Sequence, residues 1–268
     1  MPDTAQLIGG AIGRAQEGLG YNATFLYPRA GGIDALPRAL LRAGVSGHAD
    51  ADLRLETDVE AVDPRGRRVK LTGEPDWRPY RALISTIPLP ELVRRLVKPP
   101  PAIVEAAAQL RWVRWRYLNV ATRAPAPVDY HWVYVPEPRF PFFRVGVFSN
   151  AAPSMAPPGR ASLYVELNDR TGPIDLADVA RALAELGAIA RPDDVDFAKA
   201  REIEYAYVVF DDAHAAATAT LLGWLEGVGV RSCGRYGAWI YNSMEDSMLQ
   251  GQAAARWALT QRAEGGHG

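Results

Sequence analysis

The sequence predicts a mixed α/β (α+β) fold in which an antiparallel β-sheet is inserted between two stretches of alternating strand and helix. Three observations lead there. Residues 112–167 break into four apolar, aromatic-rich runs with strand-like alternation, separated by Pro-rich joints. The flanking stretches pair short apolar runs with segments of helical period. Hydrophobic residues make up 48% and charged residues 23% of 268 residues, as in a soluble globular chain large enough for one big domain or two intertwined ones.

Residues 1–24 are small, Gly-rich and carry no clear period. Phe25 to Gly32 reads as a turn-rich bend. Ile33, Leu36, Leu40 and Leu41 then recur at helical spacing, Pro37 falls in the first turn where it is tolerated, and Gly44 sits at the stop. Leu53–Thr57 alternates as a strand. Val59–Val62 and Arg68–Leu71 read as a hairpin about Asp63-Pro64-Arg65-Gly66. Ala82–Ile87 is a further strand ending at Pro88, and Pro90–Val97 a short helix. The stiff run Lys98–Pro101 is expected to mark a domain crossing. This divides the chain into 1–97 with 200–268, and a sheet domain over 98–199. The sheet strands are expected at Trp112–Ala121, Tyr130–Val135, Phe143–Phe148 and Ser162–Leu167. Leu176–Leu186 is an amphipathic helix, Arg201–Phe210 a strand and Ala213–Leu225 a helix. The last unit is a short buried strand, Val228–Cys233, then a loop dense in glycine and aromatics to Asn242, then a helix from Ser243 to about Gln261. Ser243 and Asp246 have capping-box spacing.

Composition excludes several functions. The formal net charge is -1 and no basic tract is long enough to argue for nucleic acid, so nothing suggests a footprint for it. Arg65, Arg67 and Arg68 flank a turn glycine and read as a solvated loop, with a phosphate site as the other reading. One cysteine, Cys233, rules out a disulfide within the chain and fits a reducing cytoplasm. The four histidines have no metal-ligand spacing. Met1–Gly10 lacks the pattern of a signal peptide, and no run approaches the roughly 20 apolar residues of a membrane helix. Cys233 reads as a small buried hydrophobe. Asp211-Asp212 with His214 reads as a helix start, with an acid–base cluster as the alternative.

The last unit carries the chemistry. A strand, a Gly-containing loop and a capped helix bring free N–H groups to one point, where the helix dipole adds positive character. Such an end receives a phosphate, a carboxylate or the electron-rich edge of a flat ring. Gly234 and Gly237 allow close backbone approach, Trp239 and Tyr241 offer aromatic walls, and Gly251 within the helix suggests close packing. The same residues also fit an ordinary strand–loop–helix joint with core aromatics.

Gly234-Arg235-Tyr236-Gly237-Ala238-Trp239, with Tyr241 to Ser247 and Gly251, resembles the C-terminal flavin-contacting motif of FAD-dependent amine oxidase and protoporphyrinogen oxidase-like flavoproteins. The resemblance implies Gly234 and Arg235 near the ribityl and pyrophosphate part of FAD, and Ser243, Met244 and Glu245 at the helix tip facing the ring. Arg235 departs from the acidic residue many members carry there, and draws the match toward Gly-Arg branches such as UDP-galactopyranose mutases. Thr57 to Val62 with Ala82 to Leu89 is similar to the family's middle FAD segment, which implicates the Val59 backbone at the adenine and Ser85 and Thr86 at the ribose side. Phe25 to Leu36 resembles the family's YP-x-GG segment and places Tyr27 with Trp239 and Tyr241 at a substrate pocket. The fold so implied is a partial FAD-binding Rossmann-like unit with an inserted antiparallel substrate domain.

A dinucleotide unit opens with strand, Gly-x-Gly-x-x-Gly and helix. Leu7-Ile8-Gly9-Gly10-Ala11-Ile12-Gly13 has the wrong spacing and no strand before it, and reads as a helix or loop with glycines. The pyrophosphate cradle is therefore expected to be missing, through truncation, through supply by a separate polypeptide, or through loss of the cofactor. The implied activity is hydride transfer from a small organic substrate to flavin, by this chain or as a fragment or subunit. A flavin-dependent isomerase of the UDP-galactopyranose mutase kind and a non-catalytic subunit are the alternatives. FAD binding by this chain alone is expected to be weak or absent, and a partner chain or a second copy to cover the surfaces of the absent segment. No metal, nucleic-acid or membrane-spanning role is expected.

Overall fold

The computed structural model describes residues 4–12, 25–46, 51–169 and 171–264. Among them the helices are Thr4–Ala11 (α1), Ala35–Val45 (α2), Leu89–Arg95 (α3), Pro101–Ala108 (α4), Phe148–Ala151 (α5), Leu176–Glu185 (α6), His214–Gly227 (α7), Gly234–Gly237 (α8) and Met244–Glu264 (α9). The strands are Val59–Asp63 (β1), Arg68–Leu71 (β2), Trp77–Pro79 (β3), Leu83–Ser85 (β4), Trp112–Thr122 (β5), Trp132–Tyr134 (β6), Phe142–Val147 (β7), Ser162–Leu167 (β8), Val195–Val208 (β9) and Val230–Ser232 (β10). The chain forms two compact units, Met1–Ala51 with Tyr117–Arg201, and Asp52–Arg116 with Glu202–Gly268. β5 and β9 run from one unit into the other.

The first unit is built on the sheet β6-β7-β8-β5-β9. Leu118 pairs with Val165, Val120 with Leu163, and Val145 with Val165, so the alternation read from the sequence becomes one continuous apolar face. Val179 and Leu183 of α6 close over that face. Burying each such side chain contributes about 1.5–3 kcal/mol. Asp175 starts α6 by accepting the N–H groups of Ala177 and Asp178 at 2.9 and 3.0 Å. On the other face Tyr164 lies across Gly146: a Cβ at Gly146 would stand 2.0 Å from Cε1 of the ring.

In the second unit β1-β2-β3 is an antiparallel hairpin extended by one strand, and β10 pairs with β4 in parallel. The turn of the hairpin is chemical. Asp63 accepts the Gly66 N–H and the Arg68 guanidinium, both at 2.9 Å, which holds its carboxyl below the usual range. Leu89, Leu92, Leu221, Leu225, Val230 and Trp239 are fully buried in this unit's core.

Several expectations need correction. Leu53–Thr57 is not a strand; Leu53 and Leu55 are exposed, and no neighbouring strand uses the alternation. Lys98–Pro101 is not a crossing between units: it lies within the second, and Pro101 opens α4, where its missing N–H costs nothing. The strand Trp77–Pro79 was not anticipated. Of the Gly-rich stretch near the N-terminus, residues 4–11 form helix α1, one of the two forms expected for it; Gly13 lies outside the described residues. The grouping of 1–97 with 200–268 as an incomplete FAD-binding-type domain remains an expectation. No described helix is long and apolar enough to cross a membrane.

Candidate functional site

The end of the β4–β10 pair and the start of α9 meet in the second unit. Ser85 ends β4, is buried, and accepts the Cys233 N–H at 2.9 Å, which prolongs the parallel ladder by one bond. Gly234 follows with φ +80°, in the region that favours glycine, and its N–H donates to Gln250 Oε1 of α9 at 2.7 Å. The chain then makes the single turn α8. Gly237 is the tight point. A Cβ there would sit 3.0 Å from the Ser85 carbonyl oxygen and 3.3 Å from Thr86 Cα. Gly237 thus serves contact with β4, not the close approach of a ligand; Thr86 is exposed beside it.

Arg235, Trp239 and Tyr241 take different roles. The Arg235 guanidinium donates to the Asn242 carbonyl through Nε at 3.1 Å and Nη2 at 2.6 Å, and lies 4.6 Å over the Tyr241 ring. It closes the loop on itself. Trp239 is wholly buried with φ +56°, and its carbonyl meets His214 Nε2 at 2.8 Å. Its ring stands edge-on to Trp112 and Tyr205, both at 6.0 Å. As a pocket wall it must be corrected: Trp239 is core, and Tyr241, 64% exposed, is the accessible ring. Gly251 is also corrected, since nothing stands within 4 Å of a Cβ built there.

Asn242 was missed by the sequence reading. It is buried, and neither atom of its side-chain amide has a hydrogen-bond partner among the described residues. Buried polar groups are paired as a rule, so this amide marks a place where something polar belongs. It directly precedes Ser243, which caps α9 as its spacing predicts. Ser243 N–H donates to Asp246 Oδ2 at 2.8 Å, and Asp246 N–H to Ser243 Oγ at 3.1 Å. The N–H groups of Met244 and Glu245 lie in the first turn, where a helix has no acceptor for them. Both side chains are exposed.

Val59 begins β1 in the same unit. Its N–H donates to Asp58 Oδ1 and its carbonyl accepts Arg95 Nε, both at 2.9 Å. Both groups assigned to the adenine thus have internal partners. Tyr27 lies in the first unit, where a Cβ built at Gly32 would stand 3.8 Å from its hydroxyl and 3.0 Å from Met155 Sδ. Cys233 is buried, which pushes its thiol pKa up, as suits an inert core residue. Asp211 accepts the N–H groups of Ala213 and His214 at 3.2 and 3.0 Å, a helix start as read.

A second cluster had no signal in the sequence. Tyr205 donates to Glu91 Oε1 at 2.5 Å; Arg95 Nη1 reaches Oε2 at 2.5 Å, and Arg94 joins both partners. The phenol first, and the guanidiniums after it, hold the Glu91 carboxyl down to about 2. Burial, aided by Glu91, pushes Tyr205 up to about 12. The pair joins α3 to β9, 114 residues apart, which is why spacing gave no hint of it.

The FAD-edge residues fit a flavin at one end only. A buried, unpaired amide, a capped helix tip and a glycine at positive φ suit the polar edge of the ring. The Val59 backbone does not offer itself to adenine without displacing Asp58.

Known structures share this architecture. A reduced UDP-galactopyranose mutase superposes with a TM-score of 0.80 at 22% identity, over 93% of this chain and 55% of its own. A candidate protoporphyrinogen oxidase from Exiguobacterium sp. 255-15 gives 0.62 at 16% identity, over 85% and 51%. A CLA-producing fatty acid isomerase from P. acnes gives 0.59 at 14% identity, over 95% and 56%. At these identities the likeness is one of fold, and the chain spans about half the length of each of these proteins. The family model for flavin-containing amine oxidoreductases matches residues 7–220. By that match, with the fold of its structural neighbours, this chain belongs to the flavin-containing amine oxidoreductase family.

Proposed function

We propose that this chain carries the flavin-edge and substrate-side portion of an FAD-dependent oxidoreductase that takes hydride from a small organic substrate. The observation that carries the reading is the unpaired amide of Asn242, buried at the head of α9 in a chain of this family. When bound, the flavin supplies the two-electron chemistry. The protein's part is to hold and orient. Asn242 offers a donor and an acceptor to a polar ring edge. The free N–H groups of Met244 and Glu245, with the helix dipole, favour negative charge at that edge. Gly234 and the bent loop held by Arg235 keep the backbone clear of the ring. Ser85 and Thr86 would flank the ribose side, and Tyr241 the open side.

No pyrophosphate cradle is recognisable in the sequence, and Val59 is engaged internally. We therefore expect weak FAD binding by these residues alone, with the cradle supplied by polypeptide outside them. Titration of the purified chain, followed by quenching of flavin fluorescence, is expected to show weak binding that Asn242→Ala weakens about fivefold to tenfold further. Stoichiometric FAD retained through gel filtration would contradict the incompleteness. No quenching at millimolar FAD, in parent and variant alike, would remove the flavin reading.

An isomerase in which the flavin must first be reduced is the second reading, favoured by the fold shared with the mutase. Turnover that requires prior reduction and leaves no oxidised product would select it.

A further inference from the structure

The open face of the first unit's sheet holds a cavity of about 670 Å³, a size typical of small-molecule sites. Tyr117, Asn119 and Ala121 of β5 line it with Phe148, Met155 and Phe197. Beneath them Leu163 and Ala161 are buried, so the hollow sits on a packed floor. The register puts Ala121 directly opposite Ser162, another lining residue. Ser162 Oγ is buried with no hydrogen-bond partner among the described residues. A hydroxyl left unpaired in an apolar wall is costly, and a ligand oxygen would satisfy it. The cation in the lining is Arg160, and its Nη1 is held by Asp196 Oδ2 at 2.6 Å. Asp196 also pairs with Arg123 at 3.0 Å. A phosphate or pyrophosphate entering this cavity finds no uncommitted charge among its lining residues.

We infer that the cavity over β5 and β8 binds a neutral, largely apolar molecule whose single hydroxyl or carbonyl group pairs with Ser162. As a statement about binding it stands on the cavity alone. As a statement about the substrate it rests on the flavoprotein reading above, and it sets that substrate apart from a nucleotide sugar.

The test uses the purified chain with Nile red as reporter, and dodecanol, dodecane and UDP as competitors. Nile red is expected to bind saturably at one site, with dodecanol displacing it better than dodecane and UDP not displacing it. Ala121→Trp fills the hollow and Phe197→Glu places a charge at its mouth; each is expected to weaken the dye at least about tenfold. Phe197 is 60% exposed, so its replacement leaves the fold intact even where the larger tryptophan does not, and circular dichroism checks both. Ser162→Ala is expected to shrink the preference for the alcohol over the alkane about threefold to tenfold. Linear, unsaturable dye uptake, dye affinity unchanged in both pocket variants, or displacement by UDP would each overturn the inference. Dye binding without any flavin signal would support the site and remove the flavoprotein reading; flavin binding without dye binding would do the reverse.

Discussion

Glu91 accepts the Tyr205 phenol at 2.5 Å while two arginines share its oxygens, and this arrangement makes stability depend on pH. Its carboxyl lies at about 2 in the folded chain against an ordinary 4.5. A depressed folded value gives stability that is complete above 4.5 and is lost as pH falls through 2. Glu91→Gln is therefore expected to lower stability at neutral pH by about 1–3 kcal/mol, leaving Arg94 without its anion and Arg95 with Asp58 alone, 3.6 Å away. It should also flatten the acid limb, so that parent and variant converge near pH 2 in urea melts. Parallel curves would show that the cluster contributes nothing specific. Tyr205 acts at the other end. Its folded value of about 12, above an ordinary 10, gives stability present below 10 and lost as pH rises through 12. Trp239 and Arg235 show a different residue-scale lesson. Both were assigned to ligand contact, yet one is core and the other ties its own loop.

At the scale of elements, glycine positions decide how closely strands and turns approach. Gly146 of β7 lies under the Tyr164 ring of β8, with no room for a methyl group. Gly146→Ala must push that ring aside. Its expected cost is about 1–3 kcal/mol of unfolding free energy, read as a lowered midpoint at unchanged denaturant slope. An unchanged midpoint would mean that the ring moves freely. Gly237 plays the same part between α8 and β4, where the obstacle is the Ser85 backbone and cannot swing away. The start of α9 was legible because a reciprocal cap is local chemistry. Ser243→Ala is expected to cost about 1 kcal/mol. Four strands of the large sheet, β5 to β8, were legible within one or two residues because alternation and aromatic content mark a half-buried strand, whereas β9, expected from Arg201, begins at Val195. The strand Trp77–Pro79 was not legible, since it is an edge strand whose Trp-Arg-Pro run carries no apolar alternation.

At the scale of the whole molecule, β4 and β10 form a parallel pair of two strands, each with an open edge among the described residues. Parallel strands are ordinarily covered on both faces. Ile84 of β4 and Met244, Met248 and Leu249 of α9 are exposed instead, as are Leu40 and Leu41 of α2. The known structures sharing this fold are about twice as long. We propose that a partner chain or a second copy covers these surfaces when the 268 residues stand alone. Sedimentation at tens of micromolar, about the range where such contacts show, is expected to reveal self-association. A strictly monomeric boundary would contradict it.

The sequence by itself determined what depends on neighbours in the chain: the strands of the inserted sheet, the helices that follow it, the turn at Asp63 and the cap of α9. It also carried the family, which the match over residues 7–220 bears out. Tertiary structure alone decided which side chains meet. It put Trp239 in the core, engaged the Val59 backbone with Asp58 and Arg95, joined Glu91 to Tyr205, and left the Asn242 amide and the Ser162 hydroxyl without partners. The reason is physical. Period and capping are set within a few residues, whereas burial and hydrogen-bond satisfaction depend on groups brought together from distant parts of the chain.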